Sequence, residues 1–269
     1  MRCALALLAL LAAAPAAAQR LAYEDVLTPA PRLAYRPMTV AEAPPPPPPP
    51  AAEAAPQAEP FAEFYGDRME IFPEGNSYAW DLSAQIGNGP HRLWLASTGS
   101  GLFHGGADYV GAQALYSHPI LAAGLAVQAG VQRDFLRPRR TYAVLGLQGN
   151  VTDPLYVGAF GYVSTKGEVT GSLYAYYDWR LGREARHNFF LQPYAGVDFA
   201  ADDVPALGLG RGATALELSA RLRYRIAEPF APYVGISYER LLGRTARLAR
   251  LAGDDPDSTA LVLGIRSYF

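Results

Sequence analysis

From about residue 67 the chain is written in short stretches of apolar/polar alternation that recur roughly every sixteen residues. Leu216, Leu218, Ala220, Leu222 and Tyr224 alternate with Glu217, Ser219, Arg221, Arg223 and Arg225. Val234, Ile236 and Tyr238 alternate with Tyr233, Gly235, Ser237 and Glu239, and Trp80, Leu82, Ala84 and Ile86 with Asp81, Ser83 and Gln85. In an extended strand such alternation puts one set on each face. The last stretch, from Ala260, runs to the aromatic Phe269. Each stretch is long enough to cross a bilayer as a tilted strand, and none is long enough to cross as a helix.

A soluble sandwich also alternates, but two features speak against it. The apolar faces are thin and rich in alanine and glycine, and the opposite face carries Arg221, Arg223 and Arg225 in a row. Three guanidinium groups on one strand face suit a wet lumen better than a dry core. The fold expected is therefore all-β, a transmembrane antiparallel up-and-down barrel of about twelve strands. The spans read as 67–73, 77–88, 91–101, 107–118, 121–135 and 140–151, then 155–165, 168–181, 187–200, 213–227, 229–241 and 258–269. Asn88-Gly89-Pro90, His118-Pro119, Thr152-Asp153-Pro154 and Ala227-Glu228-Pro229 read as tight periplasmic turns. The long polar segments 201–212 and 242–257 read as external loops. Tyr116, Phe135, Phe160, Tyr177, Phe190, Phe199 and Tyr238 are expected in the interfacial girdles or on the lipid face.

Residues 1–18 have the form of a cleaved export signal. Arg2 is the positive end, Ala4 to Ala13 the apolar core, and Ala16-Ala17-Ala18 the small-residue cleavage site. The only cysteine, Cys3, falls in that segment, so disulfides and thiolate metal sites are not expected in the mature chain. Residues 19–66, with the proline run Pro44 to Pro50, read as a disordered Pro/Ala-rich periplasmic linker, and 67–269 as the barrel. A formal net charge of -2 gives no nucleic-acid footprint. The expected location is the Gram-negative outer membrane, with membrane lipid around a monomer.

The strand residues also carry a resemblance. His91-Arg92-Leu93-Trp94-Leu95, Gln113-Ala114-Leu115-Tyr116-Ser117 and Gln128-Ala129-Gly130-Val131 resemble early strands of the copper-resistance protein B family of outer-membrane barrels. The fuller match lies C-terminal. Phe230-Ala231-Pro232-Tyr233-Val234-Gly235, Glu239-Arg240, Gly243-Arg244-Thr245-Ala246 and Ala252-Gly253-Asp254-Asp255 are followed by Asp257-Ser258-Thr259 and Gly264-Ile265-Arg266-Ser267-Tyr268-Phe269. The resemblance covers roughly residues 67–269 and implies a role in copper tolerance, with a periplasmic copper protein as a partner. Members of that family carry a Met- and His-rich N-terminal segment; here proline and alanine replace it and Met38 stands alone. Positions such as Ala96, Thr98, Gly111, Tyr156, Gly158, Tyr174 and Tyr176 are uncharged where the family's lumen is richer in charge.

Chemistry-bearing residues are sparse. The histidines are His91, His104, His118 and His187, and none has a metal-ligand spacing. Weak copper capture by an imidazole beside a carboxylate would use Asp81 with His91, or His104 with Asp108. The alternation makes Asp81, Gln85, Arg92, Gln113, Gln128, Gln132, Asp134, Gln148, Asp178, Gln192, Asp198, Glu217, Arg221, Arg223, Arg225, Glu239 and Arg266 the lumen-facing set. They read either as a space-filling network of ion pairs or as an ion-selective conduit. The lipase alternative fails on geometry. Ser117-His118 and His187-Asn188 are sequence neighbours that point to opposite faces, and no Gly-x-Ser-x-Gly elbow occurs. No enzyme activity and no organic cofactor are expected, and the alternative left open is a general small-solute pore or a structural barrel without metal specificity.

Overall fold

The computed structural model describes residues 59–269 apart from 121–123, 183–187 and 228. The export signal, the proline run and His187 lie outside the described residues. Thirteen strand segments follow one another: β1 (Pro60–Phe72), β2 (Ser77–Asn88), β3 (His91–Leu102), β4 (Gly106–Ile120), β5 (Leu125–Asp134), β6 (Arg140–Thr152), β7 (Leu155–Ser164), β8 (Val169–Tyr177), β9 (Trp179–Leu181), β10 (Phe189–Ala200), β11 (Gly212–Tyr224), β12 (Phe230–Leu241) and β13 (Asp257–Tyr268). β8 and β9 both pair with β10, so they are two parts of one crossing, interrupted at Asp178. The result is a closed antiparallel barrel of twelve crossings.

Neighbours in sequence are neighbours in the wall, and β13 returns to pair with β1. At that seam the Phe64 and Phe269 backbones exchange two hydrogen bonds of 2.8 and 2.9 Å. Closure leaves no strand edge, which is what a wall surrounded by hydrocarbon requires. The outward residues are apolar along every crossing: Leu145 is 65% exposed, Ile236 and Val131 55%. A surface of that kind is stable only against lipid.

The structure departs from the sequence reading in several places. The first strand begins at Pro60 rather than at 67, so the segment Pro60–Gly66 belongs to the wall and not to the linker. His118-Pro119 is not a turn: Pro119 pairs with Ala126 and Ile120 with Leu125, and the chain reverses beyond them. Phe160 and Phe190 do not belong to the lipid girdle. Period two counted from Tyr156 and from Gln192 puts both inside, where Phe190 lies under the Arg223 and Arg225 guanidinium groups at 5.3 and 4.5 Å. Tyr116, Phe135, Tyr177 and Phe199 are exposed on the outside. Tyr238, of opposite parity to Glu239, donates its hydroxyl to Asp257 at 2.7 Å.

One rim carries both ends of the barrel domain and the opposite rim the longer loops. The segment 201–211 contains a short turn at Pro205–Leu207, and the expected loop 242–257 contains a helix, α1 (Gly243–Ala252). The two are tied together: Arg244 meets Asp203 at 2.8 Å and the Gly210 N–H donates to Thr245 Oγ1 at 2.9 Å. Also at this rim, Arg140 grips Glu168 with both arms of its guanidinium, Nε to Oε2 at 2.7 Å and Nη2 to Oε1 at 2.9 Å. The Ser164 hydroxyl adds a third bond of 2.7 Å.

The Arg140 contact, aided by Ser164, holds the Glu168 carboxyl below the usual glutamate range. A depressed carboxylate contributes stability that is complete above its unfolded pKa and is lost as pH falls through the folded one. The heat-induced unfolding midpoint of the barrel, measured against pH, should therefore fall on acidification below the glutamate range. Glu168→Gln should lower the midpoint at neutral pH and flatten that part of the profile.

Candidate functional site

Period-two alternation inside a closed wall sends every second side chain to the lumen, where it meets partners from strands far away in sequence. The most enclosed partnership joins β1 to β11. Arg221 Nε contacts Glu70 Oε1 at 2.7 Å, the Tyr233 hydroxyl donates to the same oxygen at 2.9 Å, and Arg221 Nη1 donates to Ser219 Oγ at 2.6 Å. Arg221 and Glu70 are 4% and 3% exposed, so neither charge has bulk water to turn to. Beside them Arg68 reaches Glu217 at 3.4 Å and Asp81 at 3.8 Å. A second knot centres on Asp178, in the break between β8 and β9. It receives Arg223 at 3.0 Å, Arg266 at 3.7 Å and the Gln192 amide at 2.8 Å. Arg266 also reaches Asp67 at 3.2 Å.

The glutamines form the other arc. Gln113 donates to Gln132 at 2.7 Å, Gln132 to Asp134 at 2.9 Å, and the Tyr109 hydroxyl to Asp134 at 3.1 Å. Gln128 donates to Ser117 at 3.4 Å, Tyr174 to Gln148 at 2.9 Å, and Arg92 to Gln85 at 3.3 Å. Of these, Gln85, Arg92, Gln113, Ser117, Gln128, Gln148 and Tyr174 line a lumenal cavity of about 610 Å³. Towards the loop rim a second cavity of about 350 Å³ forms a vestibule. Asp198, Glu217, Glu239, Asp255 and Asp257 line it, with Arg240 as its single basic residue. Arg240 is held by Asp257 at 3.5 Å.

The structure thus places Asp81, Arg92, Gln113, Gln128, Gln148, Asp178, Gln192, Arg221 and Arg266 around the central cavity, and Asp198, Glu217 and Glu239 around the vestibule. Asp134 and Arg223 face inward through their partners, and Arg225 lies over Phe190. The two imidazole–carboxylate pairs fare differently from the lumen set. Asp81 lines the lumen, whereas His91 is on the other face, hydrogen-bonded through Nδ1 to the Tyr116 hydroxyl at 2.6 Å and with its ring 5.6 Å from that of His118. They are not brought together, because odd positions of β2 and even positions of β3 share the inside. His104 and Asp108 share the exposed β3–β4 hairpin end, where no hydrogen bond or ion pair joins them. Among the described residues no cluster of three or more His, Cys, Asp or Glu could hold a metal ion.

Glu70, Arg68 and Asp67 were missed by the sequence reading. A bulge after Gly66 shifts the register, so that Asp67 and Arg68, adjacent in sequence, both line the lumen. One extra residue breaks period two, and alternation alone cannot show it.

A closed wall with a lipid-facing exterior and a charged interior defines the class: a transmembrane β-barrel protein. The family described as copper resistance protein B precursor matches residues 60–269, and the chain belongs to that family. It is 36% identical over 210 residues to the copper resistance protein B homolog of Pseudomonas syringae pv. tomato, covering 77% of this chain and 69% of that protein. It is 34% identical over 196 residues to copper resistance protein B of Escherichia coli, covering 72% and 64%. Among solved structures it is similar to the NanC porin, at a TM-score of 0.48 and 14% identity over 77% of this chain and 99% of that one. The KdgM porin gives 0.45 and 13%, over 78% and 99%.

Removing one member of the buried pair strands the other. Arg221→Leu should destabilise the barrel by roughly 3–5 kcal/mol, read from denaturant unfolding in lipid vesicles, because Glu70 is left charged and enclosed. The double change Arg221→Leu with Glu70→Leu should recover most of that loss.

Proposed function

We propose that the barrel lies in the outer membrane, exported by residues 1–18, and contributes to copper resistance by drawing hydrated copper(II) into the acidic vestibule and holding it weakly or passing it inward. The carrying observation is the vestibule itself: Asp198, Glu217 and Glu239 face it from inside the wall, and the one arginine in its lining, Arg240, is already paired with Asp257. Carboxylates set in low-dielectric walls raise the local concentration of cations. Oxygen donors suit a hydrated divalent ion, whereas copper(I) prefers thioether or imidazole. Among the described residues Met69, His91 and His118 are on the outer face of the wall rather than in the lumen. The copper ion is here a cargo, and a periplasmic copper protein at the terminal rim is the partner this reading implies.

A general small-solute pore is the second reading, favoured by that same lack of soft donors inside. Asp198 and Glu239 separate the two, since neither forms an ion pair among the described residues and neutralising them strands no cation. In a deletion strain, the variant Asp198→Asn with Glu239→Gln should restore copper tolerance less well than the unaltered chain, and the purified variant should bind copper(II) more weakly. Equal tolerance and equal binding would leave the pore reading standing.

A further inference from the structure

The two arcs of the central cavity differ in chemistry. On β7, β8 and β10 six inward residues are aromatic: Tyr156, Phe160, Tyr162, Tyr174, Tyr176 and Tyr194 all line it. Their rings lie nearly parallel from strand to strand. Phe160 and Tyr174 are inclined by 4° with centroids 6.4 Å apart, Tyr156 and Tyr176 by 8° at 4.9 Å, and Tyr174 and Tyr194 by 22° at 6.2 Å.

Glycines set this attitude. Gly146 pairs with Phe160 and Gly158 with Tyr174, and a Cβ on either glycine would overlap the ring opposite. Each ring therefore lies down on the neighbouring strand, one face on bare backbone and the other towards the cavity. Together they make a flat apolar floor. The facing arc is polar and most of its charge is paired: Arg68, Arg221 and Arg266 each meet an acid, while Arg92 donates to the Gln85 amide oxygen. It offers many hydrogen bonds and little free charge. At the floor's edge Gln128 pairs with Gly146, the residue beneath the Phe160 ring. Gln128 is 1% exposed and its Oε1 accepts no hydrogen bond.

From this we infer that the central cavity binds a neutral pyranose sugar, its C–H face on the Phe160–Tyr174–Tyr194 floor and its hydroxyls towards Gln128, Gln148 and the paired arginines. A flat apolar face on one side and a rim of hydroxyls on the other is what the two arcs complement. A fully aromatic solute would leave the polar arc desolvated without partners, and a charged one would meet a lining whose acids and arginines are equal in number and offer little net attraction. The volume of about 610 Å³ lies within the ordinary range for small organic ligands, roughly 300–1,000 Å³. The inference is independent of copper, since it uses the central wall and not the vestibule acids.

Maltotriose is the probe, titrated into the refolded full chain in detergent, with aromatic fluorescence and calorimetry as readouts. Saturable binding is expected, and a polyethylene glycol of matching size should give none. Tyr174→Leu should weaken binding roughly tenfold. Tyr174→Phe keeps the ring and loses only the bond to Gln148, so it should bind nearly as the original does. Heat-modifiable gel mobility shows that each variant has formed a barrel; should Tyr174→Leu fail to do so, Tyr194→Leu takes its place with the same expectation. No saturable response to the sugar, an equal response to the polymer, or binding untouched by loss of the ring would overturn the assignment.

Discussion

A backbone in hydrocarbon has no water to bond to, and the rest of this molecule follows from meeting that constraint. Each crossing is hydrogen-bonded to its neighbours on both sides, and the β13–β1 seam removes the last free edge. Once the wall is closed, strand parity divides the side chains into two populations with no exchange between them. The outer population can be thin, because lipid replaces a core. The inner one must satisfy itself, and it does so with arginines, acids, glutamines and tyrosine hydroxyls drawn from strands distant in sequence.

This division explains what was legible in the sequence. Arg221 and Leu222 announce their opposite faces through local alternation, and the twelve crossings follow from repeating that pattern. Partnerships were less legible. That Asp178 would serve both Arg223 and Arg266 depends on the curvature of the closed wall, which no local window contains. The Gly66 bulge hid Asp67 and Arg68, because one added residue inverts the parity rule. Pro119 looked like a turn residue, yet at the end of a strand its missing N–H interrupts no essential bond. The helix Gly243–Ala252 was concealed by its composition: the arginines that mark it as polar also give it helix-forming side chains. The imidazole–carboxylate pair of Asp81 and His91 fails for the reason the lumen set holds together, since a face assignment forbids as firmly as it permits.

Membership of the copper resistance protein B family sets the question that the interior must answer. Its described donors are oxygens, gathered at the loop rim in a vestibule where two acids stand without ion pairs. Deeper in, the charges cancel one another and the wall becomes half aromatic. On the proposed reading a cation is drawn to the mouth and then meets a hydrogen-bonding middle in which acids and arginines balance. The two regions meet at Tyr174 and Tyr194, which line both, and differ in the rest of their linings.

The ion pairs across the lumen have a mechanical meaning as well. Glu70 with Arg221 and Arg68 with Glu217 link β1 to β11, with two strands between them along the wall, while Asp178 with Arg266 links the β8–β9 break to β13. They act as chords drawn across an arc of the circle. A tube held only by its perimeter can flatten under the lateral pressure of the surrounding lipid; one strung with chords keeps its cross-section round on the side they span. Among the described residues the aromatic arc has no such chords between its own strands, so any ovalling of the bore would be concentrated there.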